Sequence, residues 1–332
     1  MLGERFEREI REQPAVWRRI AASPLAHELA DAVRGRDVVL VGSGSSLFVA
    51  MLGALALRRR GVRAAALAAS EAEFERGAQR GRTVVALSQS GRSADVLRAV
   101  ELLEPERSIA LTNDATAPLA ARCDLVVDVA AGREHAVPAT KSVTAMVAVL
   151  LWGAALVAGP SERGPAELER VADAVEAWLG DDAAKREVAA AAERLAMRRS
   201  IAVVGAGYGV PVAFELALKI KESTYVHAEG FAAGEFRHGS VAMLDAGTAL
   251  VGVVDDASRA IVARPLAEAE RTDSLRYTIG EALPGIARLG PVTGEAFNTL
   301  AWLATGQALA LALGRARGVD GDAPRGLTKF VL

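Results

Sequence analysis

Between Val203 and Asp245 the chain places, among its ionisable side chains, Glu215, Lys219, Lys221, Glu222, His227, Glu229, Glu235 and His238. Acid/base catalysis needs groups of this kind within reach of one substrate, and a stretch used only for packing does not. Glu215, Lys219 and Glu222 are spaced i, i+4 and i+7, so they share one face of a helix. A solvated salt-bridged face would show the same spacing. The residues between them (Val212, Ala213, Leu216, Ala217, Leu218) are apolar, which argues against that alternative. His238 follows sixteen residues after Glu222, on a glycine-flanked loop or short helix. Lysine occurs only at positions 141, 185, 219, 221 and 329, and arginine supplies the other basic residues. Lysine can lose its proton and form an imine, whereas arginine cannot, so a retained lysine marks a place where an amine matters. Lys185 lies in a charged helix and reads as surface.

Two hydroxyl-rich turns come earlier. Gly42–Ser46 (GSGSS) and Ser88–Asp95 (SQSGRSAD) each follow an apolar strand-like run and open a helix. A helix start directs backbone N–H groups and the positive end of the helix dipole at one spot. Ser45, Ser46, Ser88, Gln89, Ser90 and Ser93 add uncharged polar side chains, as a lysine-free phosphate cradle would require. The alternatives are a tight turn at Gly42–Ser46 and ordinary capping by Ser88 and Ser93. A third group, Glu134-His-Ala-Val-Pro-Ala-Thr-Lys141, stands between a strand end and a long apolar helix. There Pro138 and Thr140 also suit a turn and a cap.

The elements that must position these residues alternate. Strand-like runs at Val38–Val41, Val62–Ala69, Thr83–Leu87, Ser108–Thr112 and Leu125–Val129 are separated by helical stretches, with one helix running from an N-cap at Ser45 to Gly61. The pattern predicts an α/β fold, a doubly wound parallel sheet. Residues 161–198 are charged and alanine-rich, a helical connector. At Ser200 the opening pattern returns, so GSGSS (42–46) and GAGYG (205–209) read as equivalent points of a duplicated domain. Further strands are expected near Thr248–Val254, Leu275–Ile279 and Ile286–Leu289, then a helix over 295–315. The expected organisation is an N-terminal segment of one or two helices (1–36), a first domain (37–160), the connector (161–198), a second domain (199–320) and a turn-rich tail (321–332).

Composition excludes several classes. The 332 residues are 51% hydrophobic and 24% charged with a net charge of −2, a globular chain without a global basic field for nucleic acid. The single cysteine, Cys123, can form no intramolecular disulfide and no cysteine-based zinc cluster, and reads as a small core residue. No secretory signal is seen at the N-terminus. Val143–Gly159 is uncharged over 17 residues, at the short edge for a membrane span, and reads as a buried helix, as does Thr299–Leu313. A cytoplasmic protein is expected, with no membrane and no nucleic-acid partner.

Taken together, EIREQP (Glu9–Pro14), GSGSS, SQSGRSAD, EHAVPATKS, ELALKIKESTYVHAEGFAAGEFRHG and the DAPRGLTK tail resemble the sugar isomerase (SIS) domain family. The chain is similar to the isomerase half of glucosamine-6-phosphate synthase and to SIS-type glucosamine-6-phosphate deaminases. The resemblance covers nearly the whole chain and implies two tandem flavodoxin-like SIS domains and a homodimer. It implies phosphate binding at Ser45, Ser46, Ser88, Gln89, Ser90 and Ser93, and sugar contacts at Val137 and Ala139. It makes Glu222 the base shuttling a proton between C1 and C2, and His238, contributed across the dimer interface, the residue assisting ring opening. Lys329 would contact the open-chain sugar, with Glu215 and Lys219 in support. Ala139 stands where the family often has Ser, and Leu47 where synthases commonly carry an aromatic residue.

The synthases also carry a glutaminase domain with a terminal cysteine nucleophile, which is not seen here, Cys123 being internal. The expected activity is therefore conversion of glucosamine 6-phosphate and water to fructose 6-phosphate and ammonia, with no metal or cofactor. Two enzymatic alternatives keep the fold: a fructosamine-6-phosphate deglycase and a galactosamine-6-phosphate deaminase. A non-catalytic sugar-phosphate sensor is the alternative of another class.

Overall fold

The structure is a computed structural model and describes residues 2–159, 163–291, 293 and 297–329. Three helices open the chain: α1 (Glu4–Arg11), α2 (Gln13–Ala21) and α3 (Leu25–Val33). Then follow β1 (Val38–Gly42), α4 (Ser45–Arg58), β2 (Ala64–Ala68), β3 (Thr83–Ser88), α5 (Ala94–Leu103), β4 (Arg107–Thr112), β5 (Leu125–Asp128) and α6 (Lys141–Val157). Helices α7 (Arg163–Gly180) and α8 (Asp182–Ala196) fill the expected connector. The second half runs β6 (Ser200–Gly205), α9 (Gly209–Thr224), β7 (His227–Ala232), α10 (Ala233–Phe236), β8 (Thr248–Val254), α11 (Arg259–Arg271), β9 (Leu275–Gly280), β10 (Ala287–Leu289) and α12 (Asn298–Ala316).

Two compact units result, both discontinuous in sequence. The first unit comprises residues 15–134, 141–169 and 328–329; the second comprises 2–14, 135–140 and 170–327. Each holds one five-stranded, wholly parallel sheet. The orders are β2-β1-β3-β4-β5 and β7-β6-β8-β9-β10, so the two sheets repeat one topology. This is the flavodoxin-like 2-1-3-4-5 order, in which ligands bind beyond the carboxyl ends of the strands where the order reverses.

In the first unit β1 and β3 are buried at every position. That suits parallel strands covered on both faces, which read as continuous apolar runs. Val39, Val41, Val84 and Ala86 pack with Val96, Ala99 and Leu103 of α5. On the opposite face, a Cβ added at Gly53 of α4 would lie 2.8 Å from Leu40 and 3.0 Å from Leu150 of α6, so glycine permits this close packing. Helix α6 is the long uncharged run, buried around nearly its whole circumference. The indole N–H of Trp17 donates to Thr144 on it (3.0 Å). No helix among the described residues is long and apolar enough to cross a membrane.

In the second unit Ala202, Val204 and Leu250 pack with Val262 and Leu266 of α11 and Phe236 of α10. Helices α8 and α9 both pack against α12. The duplication is visible at atomic detail. A Cβ on Gly42, the last residue of β1, would lie 2.7 Å from the Ser46 carbonyl oxygen; one on Gly205, the last residue of β6, would lie 2.1 Å from that of Gly209. Both strands enter their helices through a turn that leaves no room for a side chain.

Several local expectations are corrected. The N-terminal segment holds three helices, with Pro14 at the second position of α2 and Pro24 as the N-cap of α3. Ser45 is the first residue of α4 rather than its N-cap, which is Gly44, and α4 ends at Arg58, short of Gly61. Cys123 is half-buried beside β5 rather than fully in the core. Strand β7 was not foreseen: HAEGFA lacks the β-branched residues of a central strand, and it is held as an edge by its parallel register with β6.

Candidate active site

Within the second unit, Glu215, Lys219 and Glu222 meet as their spacing predicts. Lys219 Nζ lies 2.6 Å from Glu222 Oε2 and 3.5 Å from Glu215 Oε1. This is not a solvated face: the Lys219 and Glu215 side chains are 1% and 3% exposed, and Glu222 is 19% exposed. Burial pulls the Lys219 pKa down, but attraction from Glu215 and then Glu222, with their hydrogen bonds, outweighs it and holds the ammonium well above its ordinary value. Glu222 is therefore a partly exposed carboxylate fastened from beneath by an enclosed cation.

The other ionisable residues of this stretch do not join the group. His227 and Glu229 alternate outward on edge strand β7, 4.0 Å apart and largely exposed. Lys221 and Glu235 are exposed as well. His238 stands exposed on the turn after α10, its backbone N–H donating to the Glu235 carbonyl (2.9 Å). It is not among the partners of the Lys219–Glu222 pair.

In the first unit, the turns after β1 and β3 lie at the carboxyl edge of two adjacent strands. Sheet order thus brings Ser45 and Ser46 to the same edge as Ser88, Gln89, Ser90 and Ser93. The hydroxyls of the second turn have internal work. Ser88 Oγ accepts from the Gly91 N–H (3.1 Å) and Ser90 Oγ from the Arg92 N–H (3.2 Å). A hydroxyl that accepts in this way keeps its own O–H to donate. Gly91 has φ +62°, and a Cβ there would lie 2.5 Å from that of Ala117, so this turn requires glycine. Ser93 occupies the N-cap position of α5 without a side-chain cap bond, which leaves capping an incomplete account of its hydroxyl. Ser45 and Ser46 are half-buried in the first turn of α4. Arg92 is drawn aside by Asp114 (2.9 Å), so the turn itself presents hydroxyls and N–H groups.

Also within the first unit, Lys329 Nζ stands 3.5 Å from Glu134 Oε2. The buried Glu134 further accepts from the Ser142 hydroxyl (2.7 Å) and N–H (3.2 Å) at the start of α6. The sequence marked Glu134 only as part of a motif; the ion pair with the tail, 195 residues away, needed the tertiary structure. Val137 and Ala139 are half-buried in the second unit, on the loop 135–140. The Val137 N–H donates to the Asp322 carbonyl (3.2 Å).

A cavity of about 330 Å³ in the second unit is lined by residues of α1, α7, α8 and α12, among them Ile10, Trp178, Val188 and Leu311. None of the candidate site residues lines it. No group of His, Cys, Asp and Glu able to hold a metal ion occurs among the described residues.

Comparison with known proteins agrees with this architecture. The chain is 33% identical over 273 residues to the glutamine–fructose-6-phosphate aminotransferase of Mycobacterium tuberculosis, covering 75% of this chain and 43% of that protein. Against the enzyme of the same name from Thermococcus kodakarensis it is 32% identical over 347 residues, covering 98% and 57%. The chain thus spans about half the length of the curated relatives it matches. Its fold matches the C-terminal domain of glucosamine-fructose-6-phosphate aminotransferase from Francisella tularensis (TM-score 0.86, 23% identity, 97% and 98% covered). It also matches glucosamine-6-phosphate deaminase from Thermotoga maritima (TM-score 0.79, 22% identity, 99% of both chains). The SIS domain model matches residues 33–155 and 194–272, more than half of the chain, and the protein belongs to the SIS domain family.

Proposed function

We propose that the protein is an aminosugar-phosphate isomerase and deaminase, converting glucosamine 6-phosphate and water to fructose 6-phosphate and ammonia. The observation that carries this reading is the Lys219–Glu222 pair, a partly exposed carboxylate whose position is set by a buried ammonium 2.6 Å away. An aldose–ketose isomerisation needs one base that removes the C2 proton and returns it at C1, and Glu222 suits that task. The hydroxyls and N–H groups after β1 and β3 take the phosphate. His238 assists opening of the pyranose ring from the partner subunit of a homodimer. Lys329 stabilises the charge that develops on the open chain, an electrostatic role for a fixed cation. Hydrolysis of the imine left at C2 then releases ammonia. The names of the relatives, which concern fructose 6-phosphate and glucosamine 6-phosphate, support the substrate class.

The test is direct. Purified protein is incubated with glucosamine 6-phosphate, galactosamine 6-phosphate and a fructosamine 6-phosphate, and ammonia, free amine and ketose phosphate are measured. Ammonia and fructose 6-phosphate in equal amounts from the first sugar support the proposal. Turnover of another sugar alone changes the substrate, and tight binding with no turnover of any points to a sensor.

A further inference from the structure

Helix α1 buries Phe6, Glu9 and Ile10, the i, i+3, i+4 stripe of an amphipathic helix. One position of that apolar stripe is thus a glutamate, 1% exposed. A buried carboxylate is costly unless donors meet it, and here the donors come from the backbone of the 135–140 loop. Glu9 accepts from the His135 N–H, and from the Ala136 N–H at 3.3 Å and 3.4 Å. The Val137 N–H goes to the Asp322 carbonyl, and Pro138 has no N–H. The N–H side of all four positions from 135 to 138 is thereby accounted for in a segment with no regular structure. Farther along, Gln307 Nε2 of α12 reaches the Thr140 carbonyl (3.5 Å). The same helix is bracketed at its start: the Asp322 carboxylate accepts from the N–H groups of Arg5 (3.0 Å) and Phe6 (2.8 Å). Ala136 itself packs with Phe6, Ile10 and Leu311. Helix α1 is therefore the scaffold on which loop 135–137 is hung, and Glu9 is its polar hook.

We propose that Glu9 is a positioning residue for substrate: its buried carboxylate, by gripping the N–H groups of His135 and Ala136, sets where Val137 and Ala139 meet the sugar. This rests on the functional reading above, which places Val137 and Ala139 against the sugar. Glu9 itself touches no reacting atom, so its removal loosens substrate binding rather than proton transfer. A carboxylate offers acceptors at both oxygens. An amide offers one and turns a donor toward the loop, so Glu9→Gln preserves volume while spoiling the grip.

The test uses the full chain, wild type and Glu9→Gln, with Glu9→Ala as a second variant. Hydrogen exchange is followed in peptides spanning 131–141 and in the strands β1 and β6. Steady-state kinetics are measured with the amino-sugar phosphate that the wild type turns over. Glu9→Gln is expected to speed exchange in the loop about tenfold or more, the scale of losing a hydrogen bond to a charged group, with the strands unchanged. KM is expected to rise about tenfold while kcat stays within about threefold, the signature of lost ground-state binding. Unchanged loop exchange, or a fall in kcat at constant KM, overturns the proposal. If neither variant folds, the wild type decides: His135 and Ala136 amides exchanging as fast as exposed ones overturn it, and slow exchange supports it. If the wild type turns over none of the sugars, the functional reading fails separately. Glu9 is then judged by loop exchange and by calorimetric binding of glucosamine 6-phosphate, where weaker binding with a looser loop supports it and unchanged binding overturns it.

Discussion

Lys219 is enclosed on α9 with its ammonium 2.6 Å from the Glu222 carboxylate, and Glu215 lies on its other side at 3.5 Å. The pair joins a fully buried cation to a partly exposed anion on one helical face, so the cation fixes the anion from the protein side and leaves part of it facing out.

Replacing Lys219 by Met should leave two carboxylates crowded without their counter-ion. Breaking a buried pair by removing one partner costs about 3–5 kcal/mol, because a buried charge remains uncompensated. Urea unfolding should show that loss as a lower midpoint with an unchanged slope. The Lys219 pKa is raised in the fold. Its contribution is thus fully present below the unfolded lysine value, about 10.4, and is lost only as pH rises through the higher folded value. The stability difference between wild type and Lys219→Met should accordingly hold constant from about pH 7 to pH 10.

Glu222→Gln should lower turnover of the amino-sugar phosphate by about 10²–10⁴-fold, the usual worth of a positioned base. The amide oxygen can still accept from Lys219, so the Kd for the phosphosugar should change by no more than a few-fold. Calorimetry beside the ammonia assay separates the two effects. Normal turnover in this variant would remove Glu222 from the mechanism.

Gly205→Ala should destabilise by about 1–3 kcal/mol or more, as for an over-packed site, since its Cβ would fall 2.1 Å from the Gly209 carbonyl oxygen. Gly180→Ala is the matched control. It ends α7 in open space and should change stability by less than about 1 kcal/mol. Thermal melts of the two variants check the contrast.

Burial pushes the Cys123 thiol up to about 11, with a hydrogen bond involving Ser108 only partly opposing it. In the native protein a disulfide reagent at pH 8 should therefore react at least about tenfold more slowly than in urea, where the thiol has its ordinary value near 8.5. As pH rises, the unfolded thiol ionises first, so Cys123 costs stability progressively between about pH 9 and pH 11, and Cys123→Ala should flatten that part of the curve.

Much of the fold was legible because it rests on local pattern. Apolar runs such as Val38–Val41 and Thr248–Val254, short, rich in β-branched residues and separated by helical stretches, suit strands covered on both faces, and those runs are β1 and β8. The Glu215–Lys219–Glu222 face was legible for the same reason, since residues four and three apart on a helix must meet. What was misjudged depended on partners distant in sequence. His227 and Glu229 were grouped with Glu222 by proximity in the chain, yet strand β7 turns them outward because its register with β6 fixes which face is inside. Glu9 stood in the sequence only as the first residue of the EIREQP motif, with no role of its own. Only the return of residues 135 and 136 to α1 shows it as a buried acceptor.

By itself, then, the sequence determined the strand and helix periods, the duplication marked by Gly42 and Gly205, and the spacing that couples Lys219 to its carboxylates. Periodicity and steric exclusion act over a few residues and can be read without a fold. Only the tertiary structure decided that the Lys219 face is buried, that Lys329 lies 3.5 Å from Glu134, and that α1 carries the 135–137 loop. Burial and hydrogen-bond partnership across 126 to 195 residues depend on how the chain returns on itself, and no local pattern encodes that.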